Sequence, residues 1–351
     1  MNTKVEYVDK NNPNKEIIKS AGNCIRQGGL VVFPTETVYG LGANALDEEA
    51  VKGIFTAKGR PQDNPLIIHV ADLNINNLVQ EVPKVAEEMM ERFWPGPLTL
   101  IMKKASVVPD TTSAGLDSVG IRMPANTIAR ELIKTAGVPI AAPSANISGK
   151  PSPTEIEGCI EDLKGRVDFI IGGEKCEVGL ESTIVDCTVE PPCILRPGGI
   201  TLEMLREIHK DIYIDPAIMK KADADFKPKA PGMKYRHYAP KAPVKIIVGD
   251  LEKTIAKVNE IVQNYIDAGK KVGIIATDET KGNYNGALVK SLGSRNSLNI
   301  IGKNLFKVLR EFDEEDIDII ISEAFEENGL GIAVMNRLKK AAGFDIILVW
   351  D

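Results

Sequence analysis

Cysteine, histidine and tryptophan are scarce in this 351-residue chain, at five, three and two residues. The cysteines are Cys24, Cys159, Cys176, Cys187 and Cys193, odd in number and without a C-x-x-C pair. That pattern argues against a closed zinc site or a disulfide framework and leaves small thiols in a reducing compartment. No apolar run reaches the length that spans a bilayer. The opening MNTKVEYVDKNNPNKE lacks the apolar core of a signal peptide, so the expected location is cytoplasmic. An excess of positive charge is missing too: 43 Lys and Arg stand against 49 Asp and Glu, a net −6. That balance argues against a protein that mainly coats nucleic acid and leaves room for a local basic patch. What is present, 43% hydrophobic and 26% charged residues, suits a water-soluble chain long enough for two domains.

The stretch around which the chain is organised runs from Val31 to Val70. Its apolar start, Leu30 to Phe33, reads as a buried strand stopped by Pro34. Thr35, Glu36 and Thr37 follow, then Tyr39 between turn-forming residues. Polar groups at a strand end are where α/β sheets place ligand contacts. A helical pattern from Asp47 to Ala57 delivers Lys58 and Arg60, and Pro61 forbids further helix, so both cations are expected on a loop. A second apolar run after Asn64-Pro65 carries His69 at its end. Spacing alone reads this as a site for a polar anionic ligand, phosphate or carboxylate.

Further along, helices are expected at 15–28, 83–93, 127–136 and 154–163. Strands are expected at 98–102, 118–124, 139–142 and 167–171. Trp94, beside prolines at a helix end, reads as a packed corner. Arg122 lies inside the apolar strand SVGIRMP, where a cation needs a salt bridge or a ligand. Ser144 and Asn146, in PSANISG, would by spacing alone be turn caps. GLESTIVD brings Ser182 to a strand start, and ILRPG puts Arg196 at a strand end.

PTETVYGLG, KGRPQDNPL, PSANISG and GLESTIVD in this order resemble the YrdC-type threonylcarbamoyl-AMP synthase family, and the likeness runs through essentially the whole chain. The resemblance implies a nucleotidyltransferase that makes L-threonylcarbamoyl-AMP and pyrophosphate from L-threonine, bicarbonate and ATP. The product would serve tRNA threonylcarbamoyladenosine modification through a downstream transferase complex. It implies Lys58 and Arg60 as catalytic, phosphate-facing cations, with Ser144, Asn146, Ser182 and Arg196 on the nucleotide. Thr35, Tyr39, His69 and Arg122 would face threonine or its carbamate. Mg²⁺ is expected with ATP, held by phosphate oxygens and water. Two alternatives stay open. One is a carbamoyl-adenylate-forming relative of hydrogenase maturation, which would normally bring acylphosphatase and cysteine-rich segments. The other is a double-stranded-RNA or ribosome-binding module without chemistry; weak RNA binding is compatible with either.

The expected fold is α/β. A YrdC-like twisted mixed sheet with flanking helices fills residues 1–215, and a smaller doubly wound parallel domain fills 244–351. Between them, 216–243 forms a basic linker; the strip FKPKAPGMKYRHYAPKAPVK holds four prolines, six Lys or Arg and no acid. Such composition gives an extended, semi-rigid connector. By resemblance it folds over the active site as a lid through Tyr235, Arg236, His237 and Tyr238. In the last domain, Gly329-Leu330-Gly331 hints at a phosphate turn but lacks dinucleotide-fingerprint spacing.

Overall fold

A computed structural model describes residues 2–220, 228–233 and 237–350. The chain divides into two compact units, one from Met1–Ser148 and Ser152–Tyr235, the other from Gly149–Pro151 and Arg236–Asp351. The first unit begins with β1 (Lys4–Tyr7), α1 (Lys15–Arg26), β2 (Val31–Phe33), β3 (Gly40–Asn44), α2 (Glu48–Lys58) and β4 (Ile67–His69). It continues through α3 (Lys84–Phe93), β5 (Leu98–Lys103), α4 (Asp110–Ser113), β6 (Ser118–Arg122), α5 (Thr127–Ala136) and β7 (Ile140–Ala141). It closes with α6 (Ile156–Leu163), β8 (Phe169–Gly172), β9 (Thr183–Asp186), β10 (Cys193–Arg196), α7 (Leu202–Arg206) and β11 (Tyr213–Ile214).

The strands form one mixed sheet in the order β1-β8-β2-β3-β7-β4-β6-β5-β9-β10-β11. Alternation along β2 decides which core each side chain enters. Val31 and Phe33 join a core with Ile18, Ala21 and Ile25 of α1 and Leu132 of α5. Val32 joins the larger core with Leu41, Val51, Ile54 and Ile121. The short strand β3 escaped sequence reading because GLGAN shows no apolar alternation. Gly42 sits there for packing: a Cβ would lie 2.6 Å from Ile140 Cγ2 and 2.8 Å from Phe33 Cε1.

Trp94 does pack a corner, with its indole N–H donating to the Leu98 carbonyl at 2.7 Å. The five thiols are all free, and burial raises those of Cys176 and Cys187, to about 12 for Cys187.

The second unit is a five-stranded sheet in which every pairing is parallel. Its elements are β12 (Val244–Gly249), α8 (Leu251–Asp267), β13 (Val272–Ala276), β14 (Leu288–Ser291), α9 (Leu298–Asp313), β15 (Ile319–Glu323), α10 (Leu330–Ala341) and β16 (Ile346–Val349), with strand order β14-β13-β15-β12-β16. Alternating strands and helices produce this because each parallel strand needs a crossover.

Helix α2 matters most for the site. Asp47 caps it, accepting from the backbone N–H groups of Glu49 and Ala50, and Glu48 and Glu49 complement its N-terminal dipole. Gly59, at φ 61°, stops it directly after Lys58. Lys58 is therefore the last helical residue rather than a loop residue, and only Arg60 lies beyond. Asp47→Ala should lower stability by about 1 kcal/mol, read as a lower urea midpoint with unchanged slope.

Candidate active site

Between β2 and β3 the chain is buried but makes no strand. Its backbone polar groups therefore have to be paired elsewhere. Val178 N–H donates to the Glu36 carbonyl at 2.8 Å, and Gly179 N–H to that of Thr37 at 3.1 Å. Tyr39 N–H donates to Pro153 at 3.0 Å, and Ala145 N–H to Tyr39 at 2.8 Å. Gly40 forms a bridge with Ser144. The Pro34–Gly40 segment thus joins the loop after β7 to the glycine turn before β9.

Its side chains add a directed hydrogen-bond chain. Thr35 Oγ1 gives its proton to the Val38 carbonyl at 2.6 Å and accepts from the N–H groups of Thr37 and Val38. Thr37 Oγ1, 2.9 Å away, must then be the donor to Thr35. Thr37 in turn accepts from Arg122 Nη1 at 2.9 Å. Arg122 Nη2 donates to Glu36 Oε1 at 2.6 Å and Nε to the Gly96 carbonyl at 3.3 Å. Arg122 thus has the salt bridge its apolar strand demanded, to a carboxylate 86 positions away. The Tyr39 hydroxyl is held by the backbone of Gly173, accepting from its N–H at 3.0 Å. Thr35 and Tyr39 therefore spend their hydroxyls on the protein itself.

Lys58 is 1% exposed. Its ammonium donates to the Ser144 carbonyl, to the Asn146 carbonyl at 2.6 Å and, more weakly, to Asn146 Oδ1 at 3.4 Å. Ser144 Oγ reaches the same Oδ1 at 2.5 Å. Arg60 Nη2 donates to the carbonyls of Asn64 and Pro65 at 3.3 and 3.2 Å. Arg196 Nε binds the Ser182 carbonyl at 2.9 Å and Nη2 binds Ser182 Oγ at 3.0 Å, while Thr99 Oγ1 meets the same hydroxyl at 2.8 Å. Lys58, Ser144 and Asn146 form one group, and Ser182 and Arg196 another. Both are tied to the Pro34–Gly40 segment, the second through the turn at Val178–Gly179.

Glu36, Thr37 and Thr99 are the participants that sequence reasoning did not assign. A threonine or glutamate in a turn looks like a cap until its distant partner is seen. Among the lid residues, Tyr235 and Arg236 fall outside the described residues. Tyr238 belongs to the second unit, where its ring stacks on Phe306 at 4.9 Å and beneath the Arg337 guanidinium, with His237 tilted beside it. Among the described residues, no three His, Cys, Asp or Glu side chains gather to hold a metal ion.

His69, paired in register with Arg122 across β4 and β6, is buried. Burial, then the charge of Arg122 and more weakly that of Arg196, pushes its pKa down to about 3 against the opposing carbonyls of Ile67 and Ile140. The unfolded chain, titrating near about 6.5, binds more protons between these values. Stability should therefore be full above about pH 6.5 and fall as pH drops toward about 3. Urea unfolding across that window should be less pH-dependent in His69→Gln than in the wild type; equal slopes would refute the assignment.

A family model described as telomere recombination matches residues 23–198. A second, described as the threonylcarbamoyl-AMP synthase C-terminal domain, matches 200–343. The threonylcarbamoyl-AMP synthase of Pyrococcus abyssi is 51% identical over 95% of this chain and 96% of its own. That of Bacillus subtilis is 45% identical over 98% of each. The crystal structure of P. abyssi Sua5 complexed with L-threonine superposes with a TM-score of 0.93 at 49% identity, covering 98% of this chain and 99% of the other. With both units matched in order along nearly the full length, the chain belongs to the two-domain threonylcarbamoyl-AMP synthase family.

Proposed function

We propose that this chain makes L-threonylcarbamoyl-AMP and pyrophosphate from L-threonine, bicarbonate and ATP, as a nucleotidyltransferase supplying tRNA threonylcarbamoyladenosine modification. The observation that carries the reading is the junction at Pro34–Gly40. It holds the Lys58–Ser144–Asn146 group and the Arg122 and Ser182–Arg196 groups in one buried framework. The full-length similarity to relatives that bear this activity, one of them crystallised with L-threonine, supports the same reading. It does not favour the RNA-binding or hydrogenase-maturation alternatives.

The chemistry suits such a framework. The amine of threonine adds to the carbon of bicarbonate with loss of water, and an oxygen of the resulting carbamate attacks the α-phosphorus of ATP, breaking its bond to the β-phosphate and releasing pyrophosphate. That transfer depends on positioning and charge neutralisation rather than on a protein nucleophile. In this assignment Lys58 and Arg60 serve the phosphates, directly and by fixing the loop at Ser144–Asn146. Ser182 and Arg196 hold the nucleotide, and Arg122 faces the carboxylate of threonine. Charge neutralisation at the phosphates would be completed by Mg²⁺ bound with ATP, which needs no dedicated carboxylate cage from the protein. The product passes to a tRNA-modifying transferase, and the reaction takes place in the cytoplasm.

Lys58→Ala removes the ammonium together with its hydrogen bonds to the Ser144 and Asn146 carbonyls, each loss a cost of about 1–3 kcal/mol. Threonine- and bicarbonate-dependent pyrophosphate release should fall on the order of a hundredfold or more, with loss of the threonylcarbamoyl-AMP mass. A variant that retained synthesis and lost only salt-sensitive RNA affinity would overturn the enzymatic reading.

A further inference from the structure

Arg122 is 4% exposed and Glu36 6% exposed, so their charges face each other away from water. Of the five N–H donors of a guanidinium, three are used on Gly96, Thr37 and Glu36, which leaves two. Glu36 spends Oε1 on Arg122, while its Oε2 is buried with no hydrogen-bond partner among the described residues. A carboxylate kept only to hold the fold together would be expected to satisfy both oxygens, because a buried unpaired polar atom is costly. Here the carboxylate attends to Arg122 and to nothing else that donates.

We infer that Glu36 is a specificity-determining positioning residue of the amino-acid pocket. It fixes the Arg122 guanidinium and cancels its charge, so that the two remaining donors receive the carboxylate of a net-neutral zwitterion rather than a free phosphate. This rests on the placement of threonine at Arg122 proposed above. An unbalanced arginine recognises carboxylate and phosphate alike, since its planar fork matches both. Charge count has to make the distinction. A phosphate dianion brings two negative charges up to a guanidinium already neutralised by Glu36. An amino acid brings one carboxylate together with its own ammonium. Selectivity of this kind comes from a repulsive element aimed at the competitor. Thr37 sets the plane of the guanidinium, because its own hydroxyl proton is committed to Thr35 and it faces Arg122 only as an acceptor.

The test compares wild type, Glu36→Gln and Glu36→Asp in pyrophosphate release, varying L-threonine with and without inorganic phosphate. Glu36→Gln should raise KM for threonine about tenfold or more, as the hydrogen bond to Arg122 loses the charge of its acceptor. It should also acquire phosphate inhibition that is competitive with threonine and not with ATP. Glu36→Asp, which keeps the charge, should recover phosphate resistance even where KM stays high. A purely structural role would lower stability without creating that competition, and this result would overturn the proposal. Should Glu36→Gln fail to fold, calorimetry on the wild type decides. L-Threonine should bind, L-threonine amide should not, and phosphate should not displace threonine. Displacement would sink the role of Glu36 alone, whereas a wild type that binds no L-threonine would sink the functional reading beneath it.

Discussion

The structure depends on a short segment that is buried without being regular. Pro34 to Tyr39 leaves the sheet after β2, yet its residues are buried. No ladder neighbour completes its backbone groups, so other loops must. Those partners are the loop after β7 at Ala145, the irregular stretch at Pro153, and the turn at Val178–Gly179. Each unmade bond of this kind would cost about 1–3 kcal/mol. The segment and its partner loops are therefore fixed together or not at all. Functional groups carried on separate loops gain the precision of a single element this way, which supplies the positioning that charge-neutralising chemistry requires.

Hydroxyl and charge bookkeeping then separates support from contact. Thr35 and Tyr39 direct their hydroxyls at the backbone around them, which braces the segment. Arg122 differs, since three partners immobilise it while donors remain. Lys58 illustrates a third arrangement, a buried ammonium surrounded by carbonyl oxygens of the loop it organises. Burying a charge is tolerable only with such partners. The position of Lys58 at the end of α2 follows from Asp47 starting that helix and Gly59 ending it.

Much of this was legible in the sequence. Where apolar periodicity was strong, boundaries agree residue for residue, as in α5 at Thr127–Ala136. The loops of PSANISG and GLESTIVD do meet the stretch around Pro34, a proximity in keeping with the one site that the family resemblance implied. What stayed illegible was long-range or very short. β1 lies in a polar N-terminus and exists only because β8 offers a parallel partner. β3 looked like a glycine turn because its glycines answer to Phe33 and Ile140 across the sheet, which no local pattern records. Glu36 was hidden for the same reason. A carboxylate next to two threonines in a turn has an obvious local reading, and its actual partner enters the sequence 86 residues later.

The second unit shows why fold alone does not carry a site. In a parallel sheet, ligands favour the crevice where adjacent strands send their connections in opposite directions. Here β13 leads outward to β14 while β15 leads across β12 to β16, so that crevice lies at the ends of β13 and β15. The protein fills it with its own groups. Fully buried Glu323, at the end of β15, accepts from Thr280, from the Tyr284 hydroxyl at 2.6 Å and from Arg295. Gly331 has a local cause as well, since a Cβ there would run into the Glu326 carbonyl. Gly331, in the first turn of α10, thus answers to the packing of its own loop, Gly329 ahead of it takes a positive φ of 47°, and the polar cluster answers to a carboxylate that needs donors. A nucleotide-binding likeness drawn from strand order would have credited both to a ligand. In the first unit the inference runs the other way: Glu36 retains a buried oxygen that the described protein groups leave without a donor, and it does so beside an arginine with donors to spare.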